Sequence, residues 1–251
     1  MKNAFDLTGQ VAVVTGSSKG IGRSAAEIMA ALGAKVVVSS RKADACEAVA
    51  TEIAAAGGTA LAVPTHVGDL DGLAALVETT VAAFGGVDVV VNNAANALAL
   101  PLGSITAEAW AKSFDANLRG PVFLVQEALP HLRASGHAAV VNVISAGAFT
   151  HGTFVSMYVA AKAALLQMTR TMAAEFAADG IRVNALAPGT VDTDMVRNNP
   201  EPVQQGMVTA QLIPRMAAPD EMVPPALFLA SDASSFMTGQ VLVVDGGMTV
   251  H

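Results

Sequence analysis

Apolar positions in this 251-residue chain fall into two alternating textures. Short valine-rich runs read as strands: Val11–Val14, Lys35–Ser39, Ala60–Val63, Val87–Val91, Ala139–Ile144, Arg182–Leu186 and Val241–Val244. Between them lie longer Ala/Leu-rich stretches of helical period: Ile21–Leu32, Ala43–Ala55, Leu70–Phe84, Ala107–Leu132, Met157–Ala178 and Met222–Ala230. Continuously apolar strands, each followed by a helix, predict a mainly parallel sheet covered on both faces. The fold class expected is α/β, a doubly wound Rossmann-like sheet of about seven strands in a single domain over 1–251. One long irregular stretch, Pro188–Ala218, carries four prolines and is expected to form a lid over a binding site. Pro224 and Pro225 are expected in the first turn of the last helix, where a missing N–H does no harm.

Composition narrows the function. The chain is 53% hydrophobic and only 14% charged, with a formal net charge of −7 and no block of like charges. A nucleic-acid or anionic-membrane partner would need a basic face, so neither is expected. The single cysteine, Cys46, forbids an internal disulfide and suits a reducing compartment; one Cys and five scattered His give no metal-ligand spacing. The opening Met1–Asp6 leaves no room for a signal peptide, and no apolar run reaches the ~18 residues of a membrane span. A cytoplasmic protein without a metal is expected.

Thr15-Gly16-Ser17-Ser18-Lys19-Gly20-Ile21-Gly22 follows the first strand and opens the first helix. Glycines there permit a tight turn and let backbone approach a pyrophosphate, while the helix N-terminus supplies amide donors and a favourable dipole. This spacing resembles the T-G-x-x-x-G-x-G loop of the short-chain dehydrogenase/reductase family. Asn92-Asn93-Ala94-Ala95, Asn117, Ser145, Tyr158-x-x-x-Lys162, Pro188-Gly189, Leu229–Asp232 and Val244–Gly247 also fall where that family has them. The likeness covers essentially the whole chain and implies a nicotinamide cofactor. It implies binding positions at Gly16, Ser18, Lys19, Gly20, Ile21, Gly22, Asn93, Ala94, Tyr158, Lys162, Pro188, Gly189, Val191 and Thr193. Thr193 can also cap a short lid helix, and Asp192 and Asp194 beside it read as solvated.

The end of the second strand selects the cofactor. NAD sites place an acidic residue there for the ribose 2′-hydroxyl. This chain has Ser40-Arg41-Lys42 instead, and an arginine binds a 2′-phosphate through charge-assisted hydrogen bonds. Lys19 is expected to add a second positive charge, so NADP(H) is the cofactor expected. The family's usual Asp-Val after the third strand is His66-Val67 here, which leaves adenine the Val67 backbone. Asp69 reads chiefly as a helix cap.

Tyr158 and Lys162, four apart on a helix, share one face. A phenol is a poor proton donor at neutral pH, and a neighbouring ammonium, together with the cationic nicotinamide ring, is expected to lower its pKa. The resemblance implies that Tyr158 is the general acid/base and that Lys162 meets the ribose. It further implies that Ser145 orients the carbonyl and that Asn117 holds a relay water.

Ala95, Ala97, Ala146, Phe149, Phe154, Met157, Val191, Met195, Met207 and Leu212 are the residues expected to line the substrate pocket. They are nearly all apolar, so a neutral ketone or secondary alcohol is expected. Methionines on the lid favour breadth, and His151 reads as a surface histidine near the mouth. Two alternatives stand beside this carbonyl reductase. One is a 3-oxoacyl-[acyl-carrier-protein] reductase, disfavoured because Gly136 and Asp179 stand where carrier-using relatives carry arginines. The other is a non-catalytic NADP(H)-binding regulator, disfavoured by the complete set Asn117, Ser145, Tyr158 and Lys162. The resemblance and the apolar excess imply a homotetramer joined through the helices around Asn117 and Tyr158.

Overall fold

A computed structural model describes residues 4–250; Met1, Lys2, Asn3 and His251 lie outside the described residues. Seven strands form one sheet in the order β3-β2-β1-β4-β5-β6-β7, every pairing parallel. They are β1 (Val11–Thr15), β2 (Lys35–Ser39), β3 (Thr59–Ala62), β4 (Val89–Asn92), β5 (Ala139–Val143), β6 (Arg182–Pro188) and β7 (Val241–Val244). Alternate residues of the central strands face opposite layers. Ala12, Val14, Val36, Val38, Val89 and Val91 pack under α1 (Gly20–Ala31), α2 (Ala43–Ala55) and α9 (Val223–Ala230). Val13, Val37, Val90 and Val140 pack under α3 (Leu70–Phe84), α5 (Gly120–Ala134) and α6 (Ser156–Phe176). The doubly wound α/β reading therefore holds.

Three departures from the sequence-based expectation have physical causes. β4 begins at Val89, not Val87, because Asp88 turns its carboxylate to Val11 N–H (2.7 Å) and Ser135 Oγ (2.5 Å). The helix expected over Ala107–Leu132 is α4 (Ala107–Phe114), a π turn at Asp115–Arg119, then α5. Pro121 has no N–H to offer the carbonyl of Asn117, and Gly120 N–H reaches back five residues to Asp115 O, which widens the turn. Gly120 is needed there because a Cβ would overlap the Val67 carbonyl. The third departure is the lid, which is not irregular throughout. It carries α7 (Asp194–Arg197) and α8 (Glu201–Thr209), with Pro200 ahead of α8 and Pro202 in its first turn. Pro224 and Pro225 sit in the first turn of α9 as expected, after a 3₁₀ turn over Pro219–Met222.

Candidate active site

All seven strands point their C-terminal ends the same way, and the chain reverses direction across the sheet between β1 and β4. A crevice at that switch point is where open α/β sheets bind ligands. Its floor is heavily determined. Thr15 Oγ1 accepts from Asn93 N–H and Ala94 N–H (3.1 Å each) and donates to Val91 O at 3.3 Å. Asn93 Nδ2 donates to Thr15 O (2.9 Å) and Gly16 O (3.2 Å). A Cβ on Gly16 would stand 2.9 Å from Ala94 Cα, and one on Gly22 would stand 2.6 Å from Gly16 O and overlap Asn93 Nδ2. Gly16 and Gly20 both have positive φ (67° and 57°). No side chain caps α1, so the amides of its first turn stay free for an anion. A dinucleotide fits this cradle.

Beyond the loop, the end of β2 is held at Ser39 N–H by Ser17 Oγ (2.9 Å), and Ser40 Oγ lies 3.2 Å from the buried Cys46 thiol. Cys46 and Asn96 are structural members of the site that pattern reading missed, and the cross-strand bonds of Thr15 and Ser17 were not legible from the loop motif that contains them. Arg41 and Lys42 are exposed, and among the described residues neither has an ion-pair partner. Lys19, by contrast, donates to Asp194 Oδ2 at 2.6 Å. Asp194 is therefore not merely solvated, nor is Asp192, which holds Arg197 through two bonds (2.6 and 2.8 Å). His66 turns back, its Nδ1 accepting from Gly68 N–H at 3.0 Å. Asp69 caps α3 by accepting from Gly72 N–H, as expected. Thr193 precedes α7, but its hydroxyl bonds Val191 O instead of capping.

The residues expected to do the chemistry lie just beyond β5 (Ser145), on α6 (Tyr158, Lys162) and in the π turn (Asn117). Lys162 is buried, its Nζ donating to Val143 O at 2.7 Å and standing 5.8 Å from the centre of the Tyr158 ring. Burial lowers its pKa to about 7. The Tyr158 phenol is pushed above its ordinary value by burial, with a hydrogen bond from Ser145 pulling the other way. Burial also disfavours the charge on Lys162, so in the cofactor-free site burial of the phenol outweighs any lowering by the amine. Ser145 Oγ also accepts from Gly147 N–H (3.1 Å), fixing the turn after β5. Asn117 is fully buried in the π turn. Its side-chain amide is spent on Asn96 O and Ser113 O (2.8 Å each), and its Oδ1 accepts from Asn96 N–H (3.2 Å). Its main-chain carbonyl lacks the usual helical donor, because Pro121 has no N–H.

On the substrate side, Phe149, Phe154 and Met195 are exposed and Ala95, Ala97 and Met207 are half-buried. Ala146, Met157 and Val191 are buried, so their side chains belong to the packed wall and not to an open pocket. Val191 is further fixed by a strand-like bridge to Ala217. Gly189 lets the chain leave β6 against Asp245, where a Cβ would stand 2.6 Å from Asp245 Cα. Phe154 has φ 65°, an uncommon conformation for a bulky residue, and its carbonyl accepts from Leu100 N–H at 2.7 Å. Together with His151, Pro101, Leu102 and Val159 it borders a cavity of about 460 Å³.

Known proteins resemble this arrangement throughout. A short-chain dehydrogenase family model, described as enoyl-(acyl carrier protein) reductase, matches residues 16–249. The chain belongs to the short-chain dehydrogenase/reductase family. It is 42% identical to a cis-4-hydroxycyclohexanecarboxylate dehydrogenase of Sinomonas cyclohexanicum, over 96% of both chains. It is 40% identical to a 3-oxoacyl-[acyl-carrier-protein] reductase of Synechocystis, over 97% of this chain and 98% of that one. A solved 7α-hydroxysteroid dehydrogenase, complexed with NADH and 7-oxo glycochenodeoxycholic acid, superposes with a TM-score of 0.94 at 32% identity, covering 98% of each. The family binds a nicotinamide cofactor, and these relatives are oxidoreductases of secondary alcohols and ketones. No helix among the described residues is long and apolar enough to cross a membrane.

Proposed function

We propose that this short-chain dehydrogenase/reductase is an NADP(H)-dependent carbonyl reductase or alcohol dehydrogenase. The observation that carries the cofactor reading is Arg41, exposed at the end of β2 without a carboxylate partner. Arg23, Arg119, Arg133, Arg197 and Arg215 all hold a carboxylate. An unpaired guanidinium beside Lys42, with serine where an acidic residue would stand, suits a 2′-phosphate and not a bare ribose. Gly16–Gly22, Asn93 and Ala94 would cradle the pyrophosphate, Val67 the adenine, and Pro188, Gly189 and Thr193 the nicotinamide end. The bound nicotinamide supplies or accepts the hydride.

The protein's own share is proton handling and orientation. A phenol held above its ordinary pKa keeps its proton, so Tyr158 serves as general acid towards a ketone oxygen, with Ser145 as second donor. Lys162, titrating near neutrality, is suited to pass a proton on through a water at the Asn117 carbonyl. Ala95, Phe149, Phe154 and Met195 suit a compact apolar ketone, alicyclic or aryl, and buried area at about 25 cal/mol per Å² supplies its affinity.

The carrier-protein reading has a 40% identical relative in its favour. Against it, Asp179 holds Arg133 at 2.8 Å, so the charge that would meet an acidic carrier is already neutralised. We read the protein as cytoplasmic and homotetrameric, with half-exposed Trp110, stacked on Phe114, among the residues available to a contact. The test is a panel of ketones and alcohols assayed with NADPH and NADH in parallel, adding one 3-oxoacyl group both free and on carrier protein. Turnover with NADPH on the free ketones supports the reading. Equal use of both cofactors, or a hundred-fold preference for the carrier form, contradicts it.

A further inference from the structure

Lys19 is committed before any phosphate arrives. Its ammonium stands 2.6 Å from Asp194 Oδ2, and these two residues join the glycine loop to the lid. The contact is local to the cofactor crevice. Lys19 directly precedes α1, and Ser17 beside it donates its N–H to Ser39 O (3.2 Å), next to Ser40 and Arg41. On the lid side, Thr193 lies against Gly20, where a Cβ would stand 3.1 Å from Thr193 Cγ2. Asp192 already holds Arg197, the cation within α7, which leaves Lys19 as the close partner of Asp194.

We propose that Asp194 is a specificity-determining residue for the cofactor. It competes with the 2′-phosphate of NADP(H) for the Lys19 ammonium and so sets how far NADP(H) is preferred to NAD(H). The inference rests on the NADP(H) reading above. NAD(H) has no 2′-phosphate, so it binds without drawing Lys19 away from the lid. NADP(H) must share or break the pair, and the work of doing so is subtracted from its affinity. Both side chains are more than half exposed (69% and 53%), so solvent and salt weaken the pair. An exposed pair of this kind changes affinity by about two- to five-fold.

The experiment is a titration of NADPH and of NADH, followed by nicotinamide fluorescence, onto the wild type, Asp194→Asn, Lys19→Met and the double variant. Asp194→Asn is expected to tighten NADPH by about two- to five-fold and leave NADH unchanged. With Lys19→Met in place, Asp194→Asn is expected to change neither cofactor, the signature of a direct coupling. Asp194→Ser repeats the measurement should asparagine disturb the lid. Equal changes for both cofactors, an effect that survives the loss of Lys19, or weaker NADPH binding would overturn the proposal. A wild type with no preference for NADPH sinks the NADP(H) reading along with it. A wild-type preference that Arg41→Ser removes and Asp194→Asn leaves alone sinks only the role of Asp194.

Discussion

The two walls of the crevice are built on different physics. The β1–β4 wall is fixed by backbone: Thr15 and Asn93 bond main-chain groups, and Gly16 and Gly22 fit where a single Cβ would collide. The lid is anchored at its base by backbone bonds (Asp192 N–H to Ala217 O, Ala217 N–H to Thr190 O) and by buried Gln211. Its outer face is held by charge: Lys19–Asp194, Asp192–Arg197 and Arg215–Glu221 are all exposed pairs. Close packing cannot yield by an ångström without a penalty, whereas exposed ion pairs exchange partners with water and ligand at little penalty. One wall is suited to hold a pyrophosphate in one place, and the other to open and re-form.

The sharpest way to break this contrast is to fill the rigid wall. Gly22→Ala is expected to destabilise the protein by about 1–3 kcal/mol in urea unfolding and to impair dinucleotide binding, because the new methyl meets Asn93 and Gly16 O. A neutral unfolding midpoint would mean that the loop is as pliable as the lid. Arg41 sits just beyond that wall. A charged hydrogen bond contributes about 1.5–3 kcal/mol, so Arg41→Ser should reduce the NADPH preference by roughly ten- to a hundred-fold. Adding Ser40→Asp should reverse it.

Lys162 gives a pH test of the buried end of the site. Its folded-state pKa of about 7 lies below the ordinary 10.5, so between those values the unfolded chain binds the extra proton. Stability attributable to Lys162 therefore rises with pH from about 7 towards 10.5 and is lost as pH falls through 7. Denaturation midpoints of the cofactor-free wild type and Lys162→Met, compared across that window, should converge in slope only outside it. Parallel curves throughout would place the amine in contact with solvent. The smallest effect belongs to the lid: Asp192→Asn should leave the thermal midpoint within experimental scatter, since its partner Arg197 remains solvated. A clear drop would give the lid a structural weight the contrast denies it.

Legibility from sequence follows the same division. The strands and the glycine loop declare themselves locally, because a buried parallel strand must be apolar throughout and a tight turn must be glycine. Tyr158 and Lys162 were visible as one helix face, and Pro224-Pro225 as a first turn. Of the lid helices, the short α7 after Thr193 was visible, though the Thr193 hydroxyl does not cap it; α8 was not, since it lies between prolines with little apolar period. Nor was the Lys19–Asp194 pair, whose partners lie 175 positions apart with no pattern linking them. The π turn at Asp115–Arg119 was hidden for a different reason. Its cause, Pro121 behind Gly120 against Val67, combines a local signal with a contact from another strand's loop. Asn117 was recognised by position alone; its side chain braces Asn96, a partner that position does not reveal.

The central claim is that Tyr158 protonates the product oxygen in an NADPH-dependent reduction. The most direct measurement is turnover of a neutral alicyclic ketone with NADPH by the wild type and by Tyr158→Phe, alongside NADPH binding to each. Loss of the phenol should lower turnover by about 10²–10⁴-fold while NADPH binds as before, because the ring stays and only the proton donor goes. A Phe variant that keeps more than roughly a tenth of the wild-type rate, far above what loss of a general acid allows, would contradict the account.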